Sequence, residues 1–79
     1  MHTPKVVEVT WRDCTYVDDV FDAECAMAQL LIVMHDIGYL VGEDQEKICL
    51  GGEWIESQEC YRHMTWIPKV NIIHRRFLK

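Results

Sequence analysis

The 79-residue chain is expected to form one domain over residues 1–79, and so short a chain buries only somewhat more than roughly 60% of its unfolded surface, leaving a thin core. A composition 49% apolar and 27% charged, with three Trp, three Tyr and two Phe, argues against disorder. The net charge of −5 argues against general nucleic-acid binding, which is carried by cations, and the apolar run Leu30 to Met34 is too short to span a membrane.

In chain order, Met1-His2-Thr3-Pro4-Lys5 has no long apolar stretch of the signal-peptide type, so the expected compartment is the cytoplasm. There the four cysteines, Cys14, Cys25, Cys49 and Cys60, are expected as reduced thiols acting as small buried hydrophobes. Val6 to Trp11 predicts a first strand, with Val7, Val9 and Trp11 on one face and Glu8 and Thr10 on the other. From Asp18 to Gln29 the spacing of Val20, Phe21, Cys25 and Ala28 predicts a short helix, its start crowded by Asp18, Asp19 and Asp22 where the helix dipole favours negative charge.

Leu30 to Val41 reads as a long second strand in which Gly38 predicts a bend or bulge, and residues 42–45 read as a turn. Glu46 to Leu50 predicts a third strand, followed by Gly51-Gly52 and a loop to about Gln58 in which Trp54 and Ile55 would cover one end of the fold. Glu59 to Trp66 predicts a fourth strand; Pro68 interrupts the ladder, and Asn71 to Leu78 predicts a fifth. Five strands, one short helix after the first, and a first strand of suitable polarity to pair with the last predict a mainly β, partly open small barrel.

Three segments, Val9-Thr10-Trp11-Arg12-Asp13-Cys14, Ile37 to Asp44 continuing through Ile48-Cys49-Leu50, and Trp66-Ile67-Pro68-Lys69, form a series V-x-W-x-D, G-Y-L-V-x-E-D, I-x-L, I-P-K. That series resembles a group of small proteins encoded by tailed phages. The resemblance implies a five-stranded barrel of the Sm-like or Src-homology-3-like kind, a phage or prophage origin and no agreed enzymatic activity. It also implies an accessory role in the host cytoplasm: some phage proteins blunt host defence as oligomeric sponges that hold nucleotide immune signals without cleaving them. The sequence departs from the phage pattern in the acidic segment 18–29 and around Trp54, and no ligand is carried over to those segments.

Catalysis finds little support. No segment around a cysteine resembles a nucleophile turn, and the gaps between cysteines lack the close pairing that lets one turn present two ligands to a zinc ion, so neither a catalytic residue nor a metal is assigned. The carboxylates Asp18, Asp19 and Asp22, and Glu43 with Asp44, are explained by a helix start and a turn. Gly51-Gly52 lacks the Lys-Ser or Lys-Thr of a phosphate loop. No cofactor is implied.

Charge is unevenly distributed. Residues 1–60 hold all thirteen acids against Lys5, Arg12 and Lys47, whereas residues 61–79 hold five bases and no acid. A basic last strand neutralising an acidic first strand is one explanation. The other is an anion site in which Arg62, His63, Lys69, Arg75 and Arg76 grip phosphate while Trp54 or Tyr61 stacks on a base. The expected function is therefore a non-catalytic, self-associating binding protein for an anionic small molecule such as a nucleotide signal. The alternative is an interaction module that binds and inhibits a host protein through its acidic face.

Overall fold

The computed structural model describes residues 3–78, so Met1, His2 and Lys79, the last of them counted in the basic C-terminal stretch, lie outside the described residues. Five antiparallel strands form one sheet: β1 (Val6–Asp13), β2 (Ile32–Glu43), β3 (Lys47–Ile55), β4 (Cys60–Pro68) and β5 (Ile72–Leu78). A short helix α1 (Ala23–Met27) lies between β1 and β2, and a single 3-10 turn over Lys69–Asn71 separates β4 from β5. The strand order is β4-β3-β2-β1-β5, so β4 and β5 are the two edges and the sheet is not closed.

The β1 alternation has the predicted result: Val7 and Val9 are buried while Glu8 and Thr10 face the other way. Val7, Val9, Ile48, Leu50 and Ile67 form the core, with Trp11, Leu40 and Ile72 packed against it. All five strands thus contribute to one small cluster, which requires the sheet to bend around it. Two register shifts accommodate the bend, one between Leu40 and Gly42 on β2 and one between Thr10 and Trp11 on β1.

Gly38 is not the bulge. It pairs with Val7 in unbroken register, and its lack of a side chain serves close approach instead: a Cβ there would lie 2.8 Å from the Gly51 carbonyl oxygen and 3.3 Å from the Leu50 Cβ. The third strand also runs past its predicted end, because Gly51 and Glu53 to Ile55 stay paired with β4, which places Trp54 and Ile55 in a strand rather than a covering loop. The helix is shorter than its predicted span. Only five residues form it, starting from Asp22, whose side chain accepts from the Cys25 amide at 2.8 Å.

The long dimension is set by the β1–β2 ribbon. β1 pairs with β2 out to Asp13↔Ile32, but β3 meets β2 only from Tyr39 onward and β5 leaves β1 at Trp11, so the distal ribbon has no third strand. Beyond it, residues 14–31 extend from the sheet, and every one of them is exposed. The molecule measures 57 × 22 × 22 Å, with a radius of gyration of 16.2 Å, against about 12 Å for a compact domain of this length.

Candidate binding surfaces

The five cationic residues singled out for an anion site fall into three separate places. Arg62 and His63 lie on β4, where Glu53 holds both: Arg62 at 3.0 Å and His63 Nε2 at 2.9 Å from the same Oε1. Lys69 and Arg75 converge on Glu43, with the Lys69 ammonium 2.7 Å from Oε1 and the Arg75 guanidinium 2.8 Å from Oε2. Arg76 lies opposite Glu8 in the β1–β5 ladder and donates to its carboxylate at 2.8 Å.

Trp54 and Tyr61 do come together. They are a cross-strand pair on β3 and β4, with ring centroids 5.0 Å apart and planes tilted by 53°. Tyr61 rests over Gly51, where a Cβ would meet its ring at 2.8 Å. The next pair along the ladder is Glu53↔Arg62, and since successive residues alternate faces, the aromatic rings and the Arg62 guanidinium lie on opposite sides of the sheet. The combination of base stacking and phosphate grip proposed for these residues is therefore divided by the sheet itself.

Electrostatics at these positions favour neutralisation within the chain, although among the described residues only Arg76–Glu8 joins the last strand to the first, the other carboxylates, Glu43 and Glu53, lying on β2 and β3. The Lys69 ammonium, and then the Arg75 guanidinium, hydrogen-bond to Glu43 and hold its carboxyl below the ordinary range. The cleft beside them, about 380 Å³ and lined by Glu43, Lys69, Ile72, Ile73, His74 and Arg75, has the Glu43 carboxylate already bonded to both of its cations. A phosphate entering it would have to displace that carboxylate. A second open cleft, about 320 Å³, is lined by Pro4, Lys5, Leu40, Val41, Trp54 and Tyr61. The Trp54 indole nitrogen is buried and has no partner among the described residues.

His63 is the one position where the backbone departs from the rest of its strand. Its φ of 60° lies in the left-handed region, uncommon for a side chain other than glycine, and it faces Gly52, where a Cβ would lie 3.0 Å from the His63 Cβ. Gly52 and His63 are both left out of the ladder that pairs their neighbours.

The cysteines depart from expectation as well. All four are free, but Cys14 and Cys25 are exposed on the segment 14–31, and only Cys49 and Cys60 are partly buried, so packing does not account for the first two. Among the described residues no cysteine hydrogen-bonds to a histidine, and no group of three or more His, Cys, Asp or Glu is placed to hold a metal ion. No helix of the described residues is long and apolar enough to cross a membrane.

The feature that residue-by-residue reading missed is the surface of 14–31 itself. Tyr16 (86% exposed), Val20 (96%), Met27 (85%) and Leu30 (85%) lie open, joined by Val17, Phe21 and Leu31. α1 buries none of its residues. One cleft of about 240 Å³ is formed by Thr15, Val17, Phe21, Ala26 and Gln29, and another of about 410 Å³ by Arg12, Gln29, Leu30, Leu31 and Val33. The signal available in the sequence was the helical apolar spacing of 18–29: an amphipathic stripe implies something to cover it, and the five strands leave nothing for that task. No family model, curated protein or solved structure matches the chain.

Proposed function

We propose that the protein is a non-catalytic binding module that engages another protein through the projecting segment 14–31. The carrying observation is the uncovered apolar surface of that segment, which a small domain would not keep in water without a use for it. Its extent is consistent with an interface. A 9.4 kDa protein is expected to expose about 5,000 Å², and this one exposes 6351 Å², an excess of roughly 1,300 Å², whereas each side of a standard interface buries about 800 Å².

The nucleotide-sponge reading draws less support. Each of the cations it needs is already hydrogen-bonded to a carboxylate of the same chain, and binding phosphate would leave that carboxylate without its partner. The finer fold assignment, a small barrel of the Sm-like or Src-homology-3-like kind, belongs to the same proposal. It is supported by the bent five-stranded sheet with β5 beside β1 and a 3-10 turn before β5. A phage accessory role directed at a host protein rests on the resemblance of segments 9–14, 37–50 and 66–69.

A four-site variant, Val20→Ser, Phe21→Ser, Leu30→Ser and Leu31→Ser, tests the reading. Its circular dichroism and melting temperature should match the parent, while host-lysate proteins retained by the immobilised parent should be absent from the variant. Identical sets of retained proteins would sink the proposal. A panel of cyclic and linear nucleotides should leave the melting temperature unchanged, and a clear rise with any of them would restore the nucleotide reading.

A further inference from the structure

We infer that the occupant of the projection is a cationic protein segment with an apolar face, rather than a second copy of this chain. The inference rests on the proposed role of 14–31 and adds the chemistry of its partner. Residues 14–31 contain Asp18, Asp19, Asp22 and Glu24 and no base, so they carry −4 of the net −5, while the rest of the chain is close to neutral.

The contrast lies in how those charges are treated. In the body of the fold, four of the nine carboxylates, Glu8, Glu43, Asp44 and Glu53, each hold a cation of the same chain, and the eight bases there nearly balance the nine acids. On the projection, none of the four carboxylates forms an ion pair with any described residue. Their charge is interleaved with the apolar surface, since Asp19 adjoins Val20, Asp22 adjoins Phe21, and Glu24 lies on the helix with Met27. A partner covering Phe21, Leu30 and Leu31 would therefore come close to these carboxylates.

Those charges decide between occupants. A two-fold dimer through the projections would place the same patch on both sides and bring −4 against −4 in a partly desolvated contact. A projection laid on the body of a second copy would meet Lys47, Arg62, Lys69, Arg75 and Arg76 already held by that copy's carboxylates and a Lys5 ammonium over the Phe77 ring at 5.4 Å, which among the described residues leaves Arg12, beside that copy's own Leu30 and Leu31, to face four carboxylates. A basic amphipathic helix meets neither obstacle. Its apolar face can enter the groove formed by Thr15, Val17, Phe21, Ala26 and Gln29, and its lysines or arginines can pair with the four open carboxylates.

The probe is a fluorescent 18-residue helical peptide with leucines on one face and lysines on the other, measured by anisotropy against the full chain at low and physiological salt. Its counterpart with glutamates in place of lysines is the control. The lysine peptide should bind and weaken as salt rises, and the glutamate peptide should not bind. Neutralising the projection by Asp18→Asn, Asp19→Asn and Glu24→Gln, which keeps the Asp22 helix cap, should weaken binding about tenfold at low salt. Neutralising three body carboxylates by Glu46→Gln, Glu56→Gln and Glu59→Gln should change it less than about twofold.

Equal effects of the two triple variants, or no binding of the lysine peptide, would overturn the inference. So would light scattering that finds a dimer or larger assembly in the parent and a monomer in the four-serine variant, since a second copy would then be the occupant. If the serine variant loses peptide binding while the charge variant keeps it, the projection is still a binding surface and only the charge argument fails. If the serine variant binds like the parent, the role of the projection itself is refuted.

Discussion

Replacing the eighteen residues 14–31 with Asn-Gly should leave the fold intact and make it more stable. The β1–β2 ladder ends at Asp13↔Ile32, so a two-residue turn can join those residues directly, and Asn-Gly supplies the turn whose twist matches an antiparallel pair. None of the removed residues is buried, so no core contact is lost with them. Shortening the connection from eighteen residues to two lowers the entropy lost on closing it by about 2 kcal/mol. In a domain of this size that corresponds to a rise in melting temperature of roughly 8–16 °C. Thermal melts followed by far-ultraviolet circular dichroism measure the shift. Urea titration adds an independent check, because the slope of stability against urea follows the area buried on folding and should change little. A melting temperature lowered by 5 °C or more, or a markedly smaller urea slope, would refute the reasoning, since either would mean that 14–31 packs on the sheet in solution.

Further outcomes follow from the same geometry. Ile67→Ala opens a fully buried site opposite Ile48 and should cost about 2–5 kcal/mol out of the roughly 4–12 kcal/mol expected for a chain of this length; urea denaturation showing a loss under 1 kcal/mol would mean the core is not sealed there. Gly38→Ala should cost about 1–3 kcal/mol because its methyl would meet the Gly51 carbonyl, whereas Gly42→Ala, with open space around it, should stay within about 0.5 kcal/mol by the same measurement. The Lys47 ammonium, with the amides of Lys47 and Glu46, holds the Asp44 carboxyl down to about 2. Because that value lies below the unfolded one, the stabilisation is fully present above about pH 4 and is lost as pH falls toward 2; carbon-detected NMR titration should place the midpoint, and Asp44→Asn should flatten that part of the stability profile. Glu43→Gln removes the carboxylate shared by Lys69 and Arg75, so inorganic phosphate should raise the variant's melting temperature more than the parent's; equal shifts would mean those cations were open to anions all along.

What the sequence disclosed and what it withheld divide along the range of the interactions. The alternation Val7, Val9, Trp11 identified β1 and its inward face, because a period of two is a local property of the strand. The pairing of β1 with β5 was also legible from the polarity of the two strands, and Glu8 opposite Arg76 is the ion pair that joins them, whereas Lys69 and Arg75 reach Glu43 on β2. The end of β3 was not. Gly51-Gly52 reads as a break, yet here the small residues let β2, β3 and the Tyr61 ring approach closely, a use that shows only once the neighbours are in place. The separation of the candidate anion-site residues was hidden for a similar reason: Trp54, Tyr61 and Arg62 are near in sequence or ladder, but the faces they occupy depend on the β3–β4 register. Exposure of the apolar side of 18–29 depended on what the rest of the chain left uncovered, which no local pattern records.

Charge and burial are distributed by the same division of labour. A core of five buried residues can hold a sheet together only if the polar groups around it cost little; the body's eight bases nearly balance its nine acids, and Glu8, Glu43, Asp44 and Glu53 are paired directly with cations. Such exposed pairs add little stability each, about 0–1 kcal/mol, so their larger effect is to leave the body without a strong field of its own. The projection then dominates the field of the molecule, because it carries nearly all the net charge at one end of a 57 Å long body. An approaching cationic partner is drawn toward that end before contact, and the apolar surface beside the carboxylates supplies the short-range attraction that retains it. The segment that contributes least to folding is therefore the one with the most to offer a partner, and its removal should strengthen the fold while abolishing the binding.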